Sequence, residues 1–206
     1  MNAKGESLPG SIFLRGPSVG MMVILQPDDL PQGSPDEKHV VLTVQARIAA
    51  GGLRFVELPA GMVDDGTFGG VAAREIEEEL GLIISEKELI NMSEMTLSET
   101  EEERKKREEN QKRKEGENKK EDIFPKGMFP SAGGCDEFIP IFLHEKKVPR
   151  SQLQEWTGKL TGLRNDGEKI TLKLVKLEDL WREGARDAKA LSAWALWDGL
   201  RRSGRL

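Results

Sequence analysis

The sequence is poor in the residues that build disulfides and zinc sites. It has one cysteine, Cys135, and two histidines, His39 and His144, far apart in the chain. A lone cysteine excludes an internal disulfide, and two distant histidines argue against a histidine-ligated zinc. No apolar run approaches about 18 residues, and the first ten residues lack the apolar core of a signal peptide. We therefore expect a cytoplasmic protein with no membrane partner, an organelle being the alternative.

Charge and length limit the partners and the number of domains. The 36 acidic residues outnumber the 31 basic ones, which argues against nucleic acid as a partner. A chain of 206 residues with 37% hydrophobic content is expected to fold as one domain, 1–206. Its segment 99–122 is almost wholly charged or amide-bearing and is interpreted as an insertion, either an exposed helix or a disordered loop.

Hydrophobic periodicity predicts strands and helices without a regular alternation. Period-two patterns indicate strands over 19–25, 39–47, 55–58, 138–143 and 170–174. A helical pattern covers about 70–80, where Gly81 is placed to end it, and a second covers about 187–202. Leu191, Trp194, Ala195 and Leu200 are expected on the inner face of the second helix. The predicted class is α/β in the loose sense, or α+β, with a mixed sheet sandwiched between helices.

Three glutamates of the first helix share one arc of its surface. At 100° per residue, Glu79 lies about 40° from Glu75, and Glu78 lies about 60° on the other side, whereas Glu77 points away. Clustered carboxylates repel one another and call for protonation or a cation. Oxygen ligands suit Mg²⁺ or Mn²⁺, which commonly joins carboxylates to substrate phosphates. The alternative is a plain solvated acidic face, but the glycines of the preceding LPAGMVDDG favour a metal site because they let the backbone approach.

The same segment carries a known motif. Residues 61–82, GMVDDGTFGGVAAREIEEELGL, resemble the Nudix box, G-x5-E-x7-R-E-U-x-E-E-x-G-U with U aliphatic. The first half of the box is one residue short, and Thr67 or a gap replaces its first glutamate. That glutamate is outside the family's essential metal set, so the resemblance implies a reshaped loop and retained activity. The second half fits at Arg74, Glu75, Ile76, Glu78, Glu79, Gly81 and Leu82.

Other segments extend the resemblance over nearly the whole chain outside the charged insertion. FLRGPSV, QAR, ELPAG, FPSAGGCDEF, DLW and DAK are similar to the ADP-sugar diphosphatase branch of the Nudix superfamily. This resemblance implies a homodimer with a Nudix fold. Relatives carry an N-terminal portion ahead of the segment that matches SIFLRGPSV, so a truncated form is one interpretation of this chain. The resemblance also implies metal ligands at the Ala60 carbonyl, Glu75, Glu78, Glu79 and Glu137, with Arg47 and Gly61 at the substrate.

The implied activity is Mg²⁺-dependent hydrolysis of a nucleotide-sugar, with Mn²⁺ as a substitute. An ADP-glucose-like diphosphate would yield a nucleoside monophosphate and a sugar 1-phosphate, with Glu78 and Glu79 in the catalytic set and Glu137 as base. The alternatives are an ADP-ribose or UDP-sugar diphosphatase and a non-catalytic nucleotide-sugar-binding module. Cys135 is expected to be a spectator, and Trp156 and Trp181 are expected in the core or an interface.

Overall fold

A computed structural model describes residue 5 and residues 10–98, 123–162 and 169–206 of the chain. The charged segment 99–122 lies outside the described residues. In the described part, eight strands belong to one sheet: β1 Ser18–Pro27, β2 His39–Arg47, β3 Gly52–Glu57, β4 Ala60–Met62, β5 Ile90–Asn91, β6 Ile141–Val148, β7 Leu160–Thr161 and β8 Ile170–Lys176.

The sheet is mixed. Its strand order is β5-β6-β1-β2-β8-β7, with β3 paired to β2 and β4 paired to β1. The pair β1 and β6 is parallel, and the remaining pairs of described strands are antiparallel. The predicted mixed sheet is therefore confirmed, and so is the absence of regular strand and helix alternation.

Helices cover both faces of the sheet. They are α1 Phe68–Leu80, α2 Met92–Leu97, α3 Arg150–Trp156, α4 Leu180–Glu183 and α5 Ala188–Arg202. Strand β1 is buried along its whole length, which is typical of a central strand covered on both sides. Its Met21 and Val23 pack with α1, whereas Met22 and Ile24, which point to the other face, pack with α2 and α5. The sheet is thus sandwiched between helices.

Most predicted elements lie where the patterns placed them. The patterns over 19–25, 39–47 and 55–58 correspond to β1, β2 and β3, and the helical pattern corresponds to α1. The strand predicted over 138–143 begins later and runs further, as β6. The three-residue strand β4 was missed, because a Pro-Ala-Gly turn with so few residues carries no periodicity.

The predicted inner face of the last helix is partly wrong. Leu200 is buried and Trp194 packs on the core, but Leu191 is 40% exposed and Ala195 is also exposed. The buried side of α5 instead includes Ala190 and Ala193. Small side chains allow a helix to lie close to its neighbours, so the alanines decide the orientation here although leucine is more hydrophobic.

Candidate active site

One cavity of about 600 Å³ collects the predicted site residues. It lies where the end of β2, the strand β4, the helix α1, the loop 130–139 and the start of α5 meet. Of the residues proposed from the sequence, it is lined by Arg47, Ala60, Gly61, Glu75, Glu79 and Glu137. These residues are separated by up to 90 positions in the chain, so the fold brings together what the sequence only suggested.

Helix α1 presents its acidic side to this cavity because its caps and apolar stripe fix its orientation. The Thr67 hydroxyl accepts the Gly70 amide at 3.0 Å at the N-terminus. Gly81 ends the helix with φ 72°, a left-handed conformation that favours glycine. Ile76 faces the core and is fully buried. Thr67, which stands near the missing box glutamate, therefore serves as the helix cap.

The acidic residues of α1 differ in exposure. Glu79 is 3% exposed, Glu75 and Glu78 are half-buried, and Glu77 is exposed. Glu75 and Glu79 line the cavity, whereas Glu78 is outside the set of described residues that do so. Glu78 lies on the other side of Glu75 from Glu79 around the helix axis, which accounts for this difference.

Strand β4 lets the Glu75 side chain approach the backbone. Gly61 pairs with Val19 of β1, which fixes β4 beside the helix. A Cβ atom at Gly61 would overlap Cγ, Cδ and Oε1 of Glu75. Only glycine therefore leaves Glu75 its position, and the Gly61 assigned to the site from the sequence has a specific steric role beneath this carboxylate.

The loop that carries Glu137 is held by hydrogen bonds from residues 15–18 and by an aromatic contact with α1. Glu137 Oε1 accepts hydrogen bonds from Arg15 Nε at 3.0 Å and from Ser18 Oγ at 2.9 Å. The backbone amides of Arg15 and Gly16 donate to the neighbouring Asp136 and hold its pKa below the ordinary value of 3.8. The next residue, Phe138, packs on Phe68 of α1 with ring centroids 5.7 Å apart.

Sequence reasoning missed a charged network at the cavity. Arg47 Nε lies 2.6 Å from Glu57 Oε1, and Lys189 Nζ lies 3.1 Å from Glu57 Oε2 and 3.0 Å from Asp187 Oδ1. Glu57 begins the ELPAG segment, and Asp187 and Lys189 belong to DAK. Both segments carry the resemblance, but nothing in the sequence indicates that they meet, because 125 residues lie between them.

The carboxylates at the cavity supply part of the coordination shell that magnesium needs. In the part of the chain that the structure describes, no three acidic, histidine or cysteine side chains form a ready metal cage. The expected tight cluster of Glu75, Glu78 and Glu79 is therefore not present in that form. Magnesium, however, commonly takes one or two carboxylates and completes its shell with water and substrate phosphate. Glu75 and Glu79 on one cavity wall, with Gly61 clearing space for Glu75, suit that arrangement.

Of the two tryptophans expected in the core or an interface, only Trp156 lies in the core. Trp156 is 3% exposed and belongs to the core beside α1, whereas Trp181 is 53% exposed and lies outside the cavity. Cys135 is a half-buried free thiol. Both histidines lie in strands, His39 in β2 and His144 in β6. No helix in the described part of the chain is long and apolar enough to cross a membrane.

A family model of the NUDIX domain matches residues 16–194, a span that contains the cavity-lining residues except Arg15. The chain belongs to the Nudix family. Nudix hydrolases generally need divalent metal ions such as Mg²⁺. The mixed sheet between helices is the Nudix fold in this chain.

Two individual proteins are similar to this Nudix chain. Nudix hydrolase 14, chloroplastic, from Arabidopsis thaliana is 34% identical over 202 residues, which are 97% of this chain and 55% of that protein. The chain thus spans about half the length of this curated relative. A solved structure described as the crystal structure of an ADP compounds hydrolase aligns at 16% identity with a TM-score of 0.48, covering 92% of this chain and 76% of that one.

Proposed function

We propose that this Nudix chain hydrolyses the diphosphate of a nucleoside diphosphate sugar, of the ADP-glucose type, in a Mg²⁺-dependent reaction. The products are a nucleoside monophosphate and a sugar 1-phosphate. The observation that carries the proposal is the meeting of Glu75 and Glu79 with Arg47 and Glu137 around one cavity. A cavity of about 600 Å³ is in the range that holds nucleotide-sized ligands.

The proposed metal ligands are the carbonyl of Ala60 and the carboxylates of Glu75, Glu78 and Glu79, with Mn²⁺ able to replace Mg²⁺, and Glu137 either joins these ligands or acts as the base. The bound cations supply Lewis-acid chemistry, neutralising charge on the phosphate oxygens and acidifying water. Glu78 is the ligand with the weakest support, because it is outside the described cavity lining. Gly61 holds open the space in which Glu75 lies.

In the proposed reaction, Glu137 removes the proton from the attacking water. Arg15 and Ser18 both bind Oε1 of Glu137, which directs the carboxylate and, among the described residues, leaves Oε2 as the proton acceptor. Water oxygen bonds to one phosphorus, and the bond from that phosphorus to the bridging oxygen breaks. Arg47 is proposed to bind the diphosphate or the sugar and to stabilise the negative charge that develops there.

Two alternatives to this function follow from features of the Nudix box. The Nudix box determines the bond that is cut and not the leaving group, so an ADP-ribose or UDP-sugar diphosphatase is the closest competitor. The shortened first half of the box favours the other alternative, a module that binds nucleotide-sugars without cutting them. Thr67 caps α1 normally despite this shortening, which argues for an intact helix and for catalysis.

A substrate panel tests the proposed function. ADP-glucose, ADP-ribose, UDP-glucose and a dinucleotide are each incubated with Mg²⁺ or EDTA, and the products are separated by ion-exchange chromatography. We expect AMP and glucose 1-phosphate from ADP-glucose with Mg²⁺ and no products with EDTA. Fastest turnover of ADP-ribose or UDP-glucose would favour the closest competitor, and ADP-glucose binding without products would favour the binding module.

The assembly proposed is a homodimer of single domains, each spanning 1–206 with the insertion at 99–122. Ile12, Phe13 and Leu14 are exposed by 65% or more, and such apolar side chains are typical of a surface that another protein covers. A cytoplasmic location stays a prediction, and the chloroplastic relative makes an organelle equally compatible. Light scattering on the purified chain distinguishes monomer from dimer.

A further inference from the structure

The cavity is lined by a lysine side chain, Lys189, to which the proposed reaction assigns no role. Lys189 is the second residue of α5, lines the cavity and has a side chain that is 13% exposed. Its Nζ contacts Glu57 Oε2 and Asp187 Oδ1, while the other oxygen of Glu57 binds Arg47. One carboxylate thus holds two cations side by side at the cavity wall.

The four charged side chains of this network differ in their exposure to the cavity. The side chains of Glu57 and Asp187 are 4% and 5% exposed, whereas those of Lys189 and Arg47 are 13% and 42% exposed. The carboxylates therefore lie behind, and the cations are the part of the network nearer to the open cavity. An anion that enters meets positive charge first, although the network as a whole is neutral.

The position of Lys189 is fixed before any ligand arrives. Asp187 caps α5, accepting the Lys189 backbone amide at 3.1 Å, and it also accepts the Leu58 amide at 2.7 Å. A lysine ammonium has three donors. Among the described residues two of them reach carboxylates, which leaves one for an oxygen in the cavity. A fixed donor loses little conformational entropy when it binds a ligand.

We propose that Lys189 binds a phosphate oxygen of the substrate and forms, with Arg47, a two-cation clamp on the diphosphate. This inference rests on the proposed function, since it names the part of the same cavity that holds the diphosphate. Lysine is a common phosphate ligand, and charge-assisted hydrogen bonds to phosphate are among the strong ones. Glu57 and Asp187 are then positioning residues, which hold the two cations without touching the ligand.

The test compares Lys189→Met with Lys173→Met. Lys173 also forms an ion pair, 2.6 Å from Glu183, but it is outside the cavity lining. The dissociation constant of ADP-glucose is measured by calorimetry in EDTA, and its KM and kcat are measured with Mg²⁺. We expect Lys189→Met to weaken binding about tenfold and to raise KM by the same factor, with kcat within about threefold. Lys173→Met should leave all three values unchanged.

A second variant separates binding from folding, because Lys189→Met leaves two buried carboxylates with one cation fewer. Adding Glu57→Gln restores the charge balance, because the amide oxygen that it introduces can still accept from Arg47 while Asp187 keeps its two backbone hydrogen bonds. We expect this double variant to regain thermal stability without regaining affinity. Unchanged Kd and KM in Lys189→Met, with only a lower Tm, would overturn the clamp while leaving the proposed hydrolysis intact. Weaker ADP-glucose binding by Lys189→Met in EDTA, with no turnover of any substrate by the original chain, would support the clamp and reject the hydrolysis.

Discussion

Replacing Gly61 by alanine should impair the metal site and leave the fold largely intact. The added methyl would overlap three atoms of the Glu75 side chain. Ordinary carbon contacts are about 3.5–4.0 Å, so the carboxylate must move by more than about 1 Å. Glu75 is half-buried, and the overlapped atoms belong to its side chain and not to the backbone, so we expect the side chain to move while β4 keeps its position.

We expect Gly61→Ala to reduce the turnover rate strongly and the free energy of unfolding only slightly. A displacement of about 1 Å at a reacting centre can reduce turnover by about 100-fold, or about 2.7 kcal/mol in the barrier. Overpacking of this kind costs about 1–3 kcal/mol of folding free energy, and the lower end applies where a flexible side chain yields. The Mg²⁺ concentration for half-maximal rate should also rise, because one ligand has moved.

The assay is steady-state hydrolysis of the best substrate over a range of Mg²⁺ concentrations, with a urea unfolding curve for each variant. Gly199→Ala is the matched control, since Gly199 lies within α5 and a methyl there meets nothing within 4 Å. Alanine in that helix should add about 0.5–1 kcal/mol of stability and leave the rate unchanged. A folded Gly61→Ala variant with the rate and Mg²⁺ requirement of the original chain would refute the placement of Glu75 at the metal.

Three further changes have defined outcomes. Glu79→Gln should abolish most turnover with the fold retained, whereas Glu77→Gln on the exposed side of α1 should matter little; equal losses would reject the helix assignment. Gly81→Ala should cost about 1 kcal/mol in urea unfolding, since φ is 72° and space is not limiting; no loss would contradict the left-handed cap. Arg150 holds the pKa of Glu37 below its ordinary 4.5, so their ion pair stabilises the fold above that pH and the contribution is lost as pH falls through the lowered pKa. Arg150→Met should therefore lower Tm slightly at about pH 7, and the difference from the original chain should shrink as the pH falls below 4.5; an equal drop at every pH would show that packing, not charge, is lost.

The central elements of the fold could be read from the sequence because their patterns are local. Strand β2 has its predicted bounds, and α1 is marked by an apolar stripe and by Gly81 at its end. The orientation of α5 could not be read in this way. Its leucines predicted one face, but the close approach permitted by Ala190 and Ala193 selected another, and that depends on the helix neighbours.

The candidate site could likewise be predicted from the sequence only where its residues are close together in the chain. Glu75 and Glu79 come from one turn of helix, so spacing alone placed them together. The pairing of Glu57 with Lys189, in contrast, joins β3 to α5 and depends on sheet topology. Helical spacing also suggested Glu78 as an equal partner, whereas the cavity opens on the Glu75 and Glu79 side of the helix.

Binding of Mn²⁺ shows whether the α1 carboxylates hold a divalent cation against a diphosphate. Free Mn²⁺ is followed by electron paramagnetic resonance during titration of the chain, with and without the slowly hydrolysed α,β-methylene analogue of ADP. We expect uptake that the analogue strengthens, at least a tenfold loss of affinity in Glu79→Gln and no change in Glu77→Gln. Equal uptake by all three proteins, or none by the original chain with the analogue present, would contradict it.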